Sequence, residues 1–250
     1  MAEPLLQVRG LVKRFGGLVA TDRVDFDVAP GEVHAVIGPN GAGKTTLVSQ
    51  LAGELAPDAG LIRFDGHDIT RLPVHRRALR GLARSFQVTS VLKGFTARDN
   101  VALAVQAQAG HSFRFWRDAR RDPALTGPAA AALERVGLAA AADTPAERLS
   151  YGQQRQLELA MALAGGPKLL LLDEPMAGMG GGDSARIVAL LRGLKGSLAI
   201  VLVEHDMDAV FQLADRITVL VEGRAVASGP PEAIRADPVV RRAYLGEDAA

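Results

Sequence analysis

Gly38-Pro39-Asn40-Gly41-Ala42-Gly43-Lys44-Thr45 follows directly on the apolar run Val33-His34-Ala35-Val36-Ile37. A buried strand, a glycine-rich turn and a helix start form the context in which G-x-x-x-x-G-K-[ST] holds phosphate. Gly38, Gly41 and Gly43 can take backbone angles that side chains forbid, so successive N–H groups can converge on one anion. A helix opening at Lys44 adds its positive N-terminal end. Lys44 is then spaced to reach the β- and γ-phosphates, and the Thr45 hydroxyl to sit on a Mg²⁺ ion. The stretch predicts nucleoside triphosphate binding.

The flanking sequence reads as an interrupted α/β pattern. Residues 5–37 are β-rich: Val24, Phe26 and Val28 alternate with Arg23, Asp25 and Asp27, and Gly16-Gly17 and Pro30-Gly31 signal turns. A helix is expected over 44–53, and a short strand over 61–64 before the Asp65-Gly66 turn. From about 88 to 150 the character changes. Thr96-Ala97-Arg98-Asp99 is a capping-box pattern that opens a helix over 100–109, and residues 128–136 predict another, closed by Gly137. This stretch reads as a mainly helical insertion. The α/β pattern then returns. A helix over 153–164 stops at Gly165-Gly166-Pro167, and Leu169-Leu170-Leu171-Leu172 is apolar without alternation, as in a strand buried on both faces of a parallel sheet. Residues 198–203 repeat that pattern. A helix over 207–213 follows, then a strand over 217–221 and a hairpin through Glu222-Gly223 into 224–227.

Asp173-Glu174 comes straight after the four leucines. Ligands of open α/β sheets sit beyond the carboxyl ends of the strands, which suits Asp173 to hold Mg²⁺ through water and Glu174 to act as general base. Ser150 and Gln153 have capping-box spacing; they are either a helix cap alone or an exposed helix N-terminus that receives phosphate, with Gly152 allowing close approach. His205 follows Glu204 at the same sheet edge and is either a surface residue or a γ-phosphate contact.

A chain of 250 residues with 48% hydrophobic content can build a sizeable core, and a net charge of +1 argues against a polycation built for nucleic acid. There are no cysteines, hence no disulfides or thiolate metal sites. The opening Met1-Ala2-Glu3-Pro4 lacks a secretion pattern, and the apolar runs at 169–172 and 198–203 are too short to cross a bilayer. Work at a membrane is therefore expected to go through partners. Residues 111–122 gather Phe113, Arg114, Phe115, Trp116, Arg117, Arg120 and Arg121. Such a patch suits single-stranded nucleic acid or a membrane surface, or is a solvated excursion; no second basic stripe supports a nucleic-acid groove.

Five elements now stand in one order: 38–45, Gln87, 149–153, 169–174 and His205. Together they resemble an ABC-type ATPase subunit over nearly the whole sequence. The resemblance implies a RecA-like P-loop NTPase core with an antiparallel β-subdomain and a helical subdomain, in a single domain over 1–250. About 1–87 and 151–250 would form the α/β core with its β-subdomain, and 88–150 the helical part. It implies that Phe15 stacks on adenine and that Gly38, Pro39, Asn40, Gly41, Ala42, Gly43, Lys44, Thr45 and Thr46 bind the nucleotide with Gln87 and Asp173. Thr45, Gln87 and, through water, Asp173 would hold Mg²⁺. Glu174, His205 and Lys44 would be the catalytic set. Ser150, Tyr151, Gly152 and Gln153 would close over ATP held by an opposite subunit.

Arg14-Phe15-Gly16-Gly17, Ala83-Arg84-Ser85-Phe86-Gln87, Leu149-Ser150-Tyr151-Gly152-Gln153-Gln154 and Asp173-Glu174-Pro175-Met176-Ala177-Gly178-Met179 are similar to the high-affinity branched-chain amino acid importers, as is the ending Arg241-Arg242-Ala243-Tyr244-Leu245-Gly246. That branch implies ATP hydrolysis driving uptake. Its partners would be a second ABC ATPase subunit, two membrane permeases and, indirectly, a periplasmic solute-binding protein, with no nucleic acid. Its place would be peripheral, on the cytoplasmic face of the inner membrane. Urea and amide importers and envelope lipid exporters look much alike. Two departures stand out. Tyr151 replaces the more usual glycine of the signature loop, and Gly180 stands where aspartate is common, so Gly180-Gly181-Gly182 predicts a flexible stretch.

Overall fold

The computed structural model describes residues 3–85, 91–109, 120 and 122–240. Gln87, most of the basic aromatic segment at 111–122 and the stretch 241–246 lie outside the described residues. In chain order the elements are β1 (Leu6–Phe15), β2 (Leu18–Val28), β3 (Val33–Ile37), α1 (Lys44–Ala52), β4 (Ala59–Phe64), β5 (His67–Asp68), α2 (Val74–Leu79) and β6 (Leu82–Arg84). Next come α3 (Ala97–Ala109), α4 (Pro123–Arg135), α5 (Tyr151–Ala164), β7 (Leu169–Asp173), α6 (Gly181–Leu194), β8 (Ala199–Val203), α7 (Met207–Leu213), β9 (Arg216–Val221), β10 (Arg224–Gly229) and α8 (Pro231–Ala236).

Two sheets carry the architecture. One is antiparallel, ordered β2-β1-β4-β5; the other has six strands ordered β10-β9-β3-β8-β7-β6. In the second sheet β6, β7, β8, β3 and β9 run parallel and only β10 is antiparallel. The apolar runs explain the burial. Every residue of β3, β7 and β8 is buried, as befits parallel strands covered on both faces. Their residues alternate between two cores. Leu170, Leu172, Ile200 and Leu202 pack with the helical side, against α3–α7. Leu169, Leu171, Val201 and Val203 pack with α1 and the antiparallel sheet.

Several boundaries differ from the sequence reading, for local reasons. α4 begins at Pro123 rather than 128, because Asp122 caps it by accepting from the Ala124 N–H at 3.0 Å; Pro128 then sits inside the helix. α5 begins at Tyr151, directly after the Ser150 cap. The glycine run expected to be flexible instead opens α6: the Asp183 and Ser184 N–H groups both donate to Gly180 O at 3.0 Å. Ile187, Leu191 and Leu194 bury one face of that helix, and this burial offsets the low helix propensity of Gly181 and Gly182.

Candidate active site

The site forms where three parallel strands end in register. Val36 of β3 and Asp173 of β7 both pair with Val203 of β8, so the residues that follow each strand emerge together. Gly38–Lys44 leave β3, Glu174 leaves β7, and Glu204-His205 leave β8. An open cleft of about 320 Å³ lies there, lined by Phe15, Asn40, Gly41, Ala42, Gly43, Lys44, Thr45, Thr46 and Glu174, with Leu18 and Ala20.

The glycines of the loop are required by space as well as by angle. A Cβ on Gly38 would lie 2.1 Å from Leu220 O, and one on Gly43 2.1 Å from Ala20 O. Gly43 is the N-cap of α1 in the left-handed region, φ 98°. Lys44 is buried, and its Nζ donates to Gly38 O at 2.7 Å and Pro39 O at 3.0 Å. Burial lowers its pKa, while Glu174 and Asp173 pull the other way. The lysine is thus held over the loop by the loop's own carbonyls, the position from which a phosphate could take it.

The two carboxylates sit in different surroundings. Asp173 is 1% exposed, and its Oδ2 lies 3.4 Å from Arg84 Nη2. Burial raises its pKa, opposed chiefly by Arg84. Its Oδ1 has no hydrogen-bond partner, an uncommon and costly state for a buried carboxylate oxygen. A hydrogen bond with Thr45 also acts on Asp173. An orphaned oxygen beside a hydroxyl is an all-oxygen donor set of the kind Mg²⁺ prefers. Among the described residues no cluster of three or more His, Cys, Asp or Glu side chains could hold a metal. A magnesium site here would therefore need the oxygens of a nucleotide, as is usual for that ion.

Glu174 is 25% exposed and faces the cleft. Its backbone is in the left-handed region, φ 49°, and its N–H donates to Val203 O at 2.9 Å. That conformation is strained for a residue with a Cβ and swings the side chain out of the strand direction. His205 Nδ1 lies 3.9 Å from Glu174 Oε1, with the ring 62% exposed. Phe15, at the end of β1, lines the same cleft with its ring half exposed and Lys13 Nζ 5.7 Å from the ring centroid.

Two supporting residues escape sequence reasoning. Glu204 is fully buried; its Oε1 accepts from the Met176 N–H at 3.0 Å and its Oε2 from the His205 N–H at 3.1 Å. Burial pushes its pKa up, and main-chain donors from Met176, His205 and Asp206 pull it down. It clamps the loop after Glu174 to the loop that carries His205. A carboxylate ending an otherwise apolar buried strand is the signal that could have found it. Arg84 reaches Ser49 Oγ at 3.2 Å and Glu54 as well as Asp173, which only the fold reveals.

The residues at the start of α5 lie elsewhere. Ser150 Oγ accepts from the Gln153 N–H at 3.2 Å and Gln153 Oε1 accepts from the Ser150 N–H at 2.9 Å, a complete capping box. The Tyr151 hydroxyl meets Ala177 O at 3.1 Å, and a Cβ on Gly152 would strike Asp183. Ser150, Tyr151, Gly152 and Gln153 do not line the cleft around Lys44. Gln87, expected beside the metal, lies outside the described residues.

Residues 21–177 match the ABC transporter family, and residues 226–250 match the branched-chain amino acid ATP-binding cassette transporter family. The chain is 40% identical to the high-affinity branched-chain amino acid transport ATP-binding protein BraF of Pseudomonas aeruginosa, over 99% of this chain and 100% of that protein. It is 38% identical to LivG of Escherichia coli K12, which carries the same description, again over 99% and 100%. The ADP conformation of an ATP-binding cassette of an ABC transporter superimposes with a TM-score of 0.86 at 30% identity, covering 98% of this chain and 100% of that one.

Proposed function

The chain belongs to the ABC transporter family and is one of its ATP-hydrolysing cassettes; from that premise we propose that it powers the uptake of branched-chain amino acids as the peripheral motor of an importer. One observation carries the chemistry. Lys44, Asp173, Glu174 and His205, distant in sequence, meet at one end of one parallel sheet around one open cleft. The solute class rests on the names of BraF and LivG and on the match over residues 226–250.

The roles follow from the surroundings. Converging N–H groups of residues 38–43 and the N-terminus of α1, with Thr46 in its first turn, cradle the β-phosphate end. Lys44 exchanges two neutral carbonyl acceptors for anionic phosphate oxygens, a stronger class of hydrogen bond. Phe15 supplies a flat apolar face for the base. Thr45 and Asp173, with Gln87, would hold Mg²⁺, which supplies charge neutralisation across the β- and γ-oxygens when bound. Buried Asp173 keeps its place through Arg84, whereas Glu174 stands toward solvent in the cleft. That asymmetry suits Asp173 to the metal's water and Glu174 to the attacking water, whose proton it accepts. His205, near Glu174, is placed to hold the γ-phosphate end.

In this reading Ser150–Gln153 serve the ATP of an opposite cassette, a second ABC ATPase subunit. The pair drives two membrane permeases fed by a periplasmic solute-binding protein. Among the described residues no helix is long and apolar enough to cross a membrane, which supports a peripheral motor working through partners at the cytoplasmic face. The chain acts as one cassette, with 1–87 and 151–250 as core and β-subdomain and 88–150 as the helical part. Glu174→Gln tests the chemistry: it should bind magnesium-ATP within about threefold of wild type and lose at least about a hundredfold in turnover. Turnover within about tenfold of wild type would remove Glu174 as the base. Uptake of radiolabelled leucine by cells lacking this chain tests the solute, and undiminished leucine uptake would reject the import reading.

A further inference from the structure

We propose that Tyr151 is a positioning residue that ties the start of α5 to the turn carrying Glu174, so that events at Ser150–Gly152 are felt at the general base of the same subunit. The inference rests on the ATPase reading above and adds to it a route between two parts of the chain.

The contacts are specific. Tyr151 Oη lies 3.1 Å from Ala177 O, across 26 residues of sequence. The same oxygen receives Arg155 Nε at 3.2 Å and Arg155 Nη2 at 2.9 Å. A guanidinium only donates, so the hydroxyl proton is directed at Ala177 O. Arg155 is buried, and its Nη1 pairs with Glu158 at 3.0 Å, so the fork has a fixed orientation. A cation donating into the hydroxyl polarises the O–H bond and strengthens its donation to the carbonyl. On the other side, the Ala177 N–H donates to Glu174 O at 3.1 Å. One peptide therefore links the tyrosine to the residue whose side chain faces the cleft.

Three neighbouring features fit a built contact. Gly178, φ 73°, gives the ring room: even an added Cβ would meet it only at 3.6 Å. Gly152 faces Asp183 so closely that a Cβ would lie 2.6 Å from its Cγ, which seats the first turn of α5 on that of α6. Glu204 pins Met176 from the opposite direction. The turn at 174–178 is thus gripped from β8 by a buried carboxylate and from α5 by a phenol. Tyr151 is 44% exposed, so its hydroxyl is not needed to complete a core. A tyrosine with that exposure and three defined partners is better explained by alignment than by packing.

The test is Tyr151→Phe in the assembled transporter, read beside wild type and Glu174→Gln. The ring and its packing stay; only the hydroxyl goes. We expect kcat for ATP hydrolysis to fall about tenfold, KM for ATP to stay within about twofold and the melting temperature to be unchanged. Single-turnover hydrolysis in the Glu174→Gln background should not slow further when Tyr151→Phe is added, because the tyrosine acts through the base. Hydrogen exchange of the peptide spanning 174–180 should speed up in Tyr151→Phe. Wild-type turnover in Tyr151→Phe, a rise in KM matching the loss in kcat/KM, or an additive loss on Glu174→Gln would each overturn the inference. If Glu174→Gln hydrolyses ATP like wild type, the ATPase assignment of that residue fails. Exchange then decides the tether alone: faster exchange at 174–180 upholds it and unchanged exchange rejects it.

Discussion

Arg77 is the largest fully buried side chain of the protein's described residues, and replacing it should cost more stability than any surface arginine could. It is 1% exposed. Its guanidinium donates to Gln50 O and Leu51 O at 2.7 Å each, to Leu72 O at 2.8 Å and to Thr70 O at 3.0 Å. The first two are carbonyls at the C-terminal end of α1, whose other end begins with Lys44. A cation there satisfies groups that the helix itself leaves open and meets the negative end of its dipole. Gly53 makes the passage possible, since a Cβ on it would lie 2.7 Å from Arg77 Nε.

The opposing costs can be weighed. Burial pulls the Arg77 pKa down from 12.5 to about 10, only partly opposed by Asp68. At 1.36 kcal/mol per pKa unit this is ~3 kcal/mol against the charged form, yet at neutral pH the group stays ionised. Four charged donors each contribute ~1.5–3 kcal/mol in such settings. In Arg77→Met the stem volume is kept and the charge is removed. Gln50 O keeps a bond from the Gly53 N–H, and Leu72 and Thr70 lie near enough to the surface for water to serve them. Leu51 O loses a partner in the core. With desolvation relieved and the donors lost, the net should be a destabilisation of ~3 kcal/mol. For a chain of this size that lowers Tm by about 6–12 °C. Urea unfolding followed by circular dichroism should show a lower midpoint at unchanged slope. A loss below ~1 kcal/mol would mean that water substitutes for the guanidinium, and the account of α1's end would be wrong.

Two further outcomes follow from the same geometry. Lys44→Ala should weaken magnesium-ATP binding by about 10–100-fold, the loss of one charge-assisted phosphate contact, while leaving the nucleotide-free protein at least as stable, because a buried cation is removed; calorimetric titration beside thermal melts checks both, and an unchanged Kd refutes the role. Glu32 is buried enough to raise its pKa, but the bond with His34, the Ala29 N–H and the charge of Arg216 prevail and hold it below the ordinary 4.5. Its ionised form therefore favours the fold above about pH 4.5, and that contribution fades as the pH falls below it. Glu32→Gln should flatten the acid limb of the stability curve between about pH 5 and 3; superimposable curves for the two proteins would reject the linkage.

What could be read from sequence was whatever depends on neighbours along the chain. The phosphate loop needs glycines at fixed spacing after an apolar strand, and Ser150 needs a glutamine three residues on; both are local patterns. The strands β3, β7 and β8 announced themselves because burial on both faces leaves no polar position. α6 was hidden by its own start: three glycines masked a helix whose buried Ile187, Leu191 and Leu194 keep helical spacing. β6 has three residues, too few for any periodicity. Arg77, Glu204 and Tyr151 were invisible for another reason. Each acts on carbonyls or N–H groups of segments far away, and main-chain groups carry no sequence label.

The active site itself stands between these cases. Sequence supplied three strand ends bearing the right chemistry, Ile37 before the loop, Asp173-Glu174, and Glu204-His205. It could not supply their order. The sheet places β8 between β3 and β7, and Val203 is in register with both Val36 and Asp173. Two strand spacings, about 10 Å, therefore separate the loop strand from the carboxylate strand. Phosphates and a hydrated ion need a gap of that order, and side chains that were direct neighbours would fill it themselves. The intervening strand contributes His205 from above the gap and Glu204 from beneath it, where Glu204 fixes the turn after Glu174. If β7 lay directly beside β3, the same residues would be present and Glu174 would crowd the loop that must hold the phosphates. The reaction is thus encoded in which strand sits in the middle, a property that long-range packing of apolar faces decides.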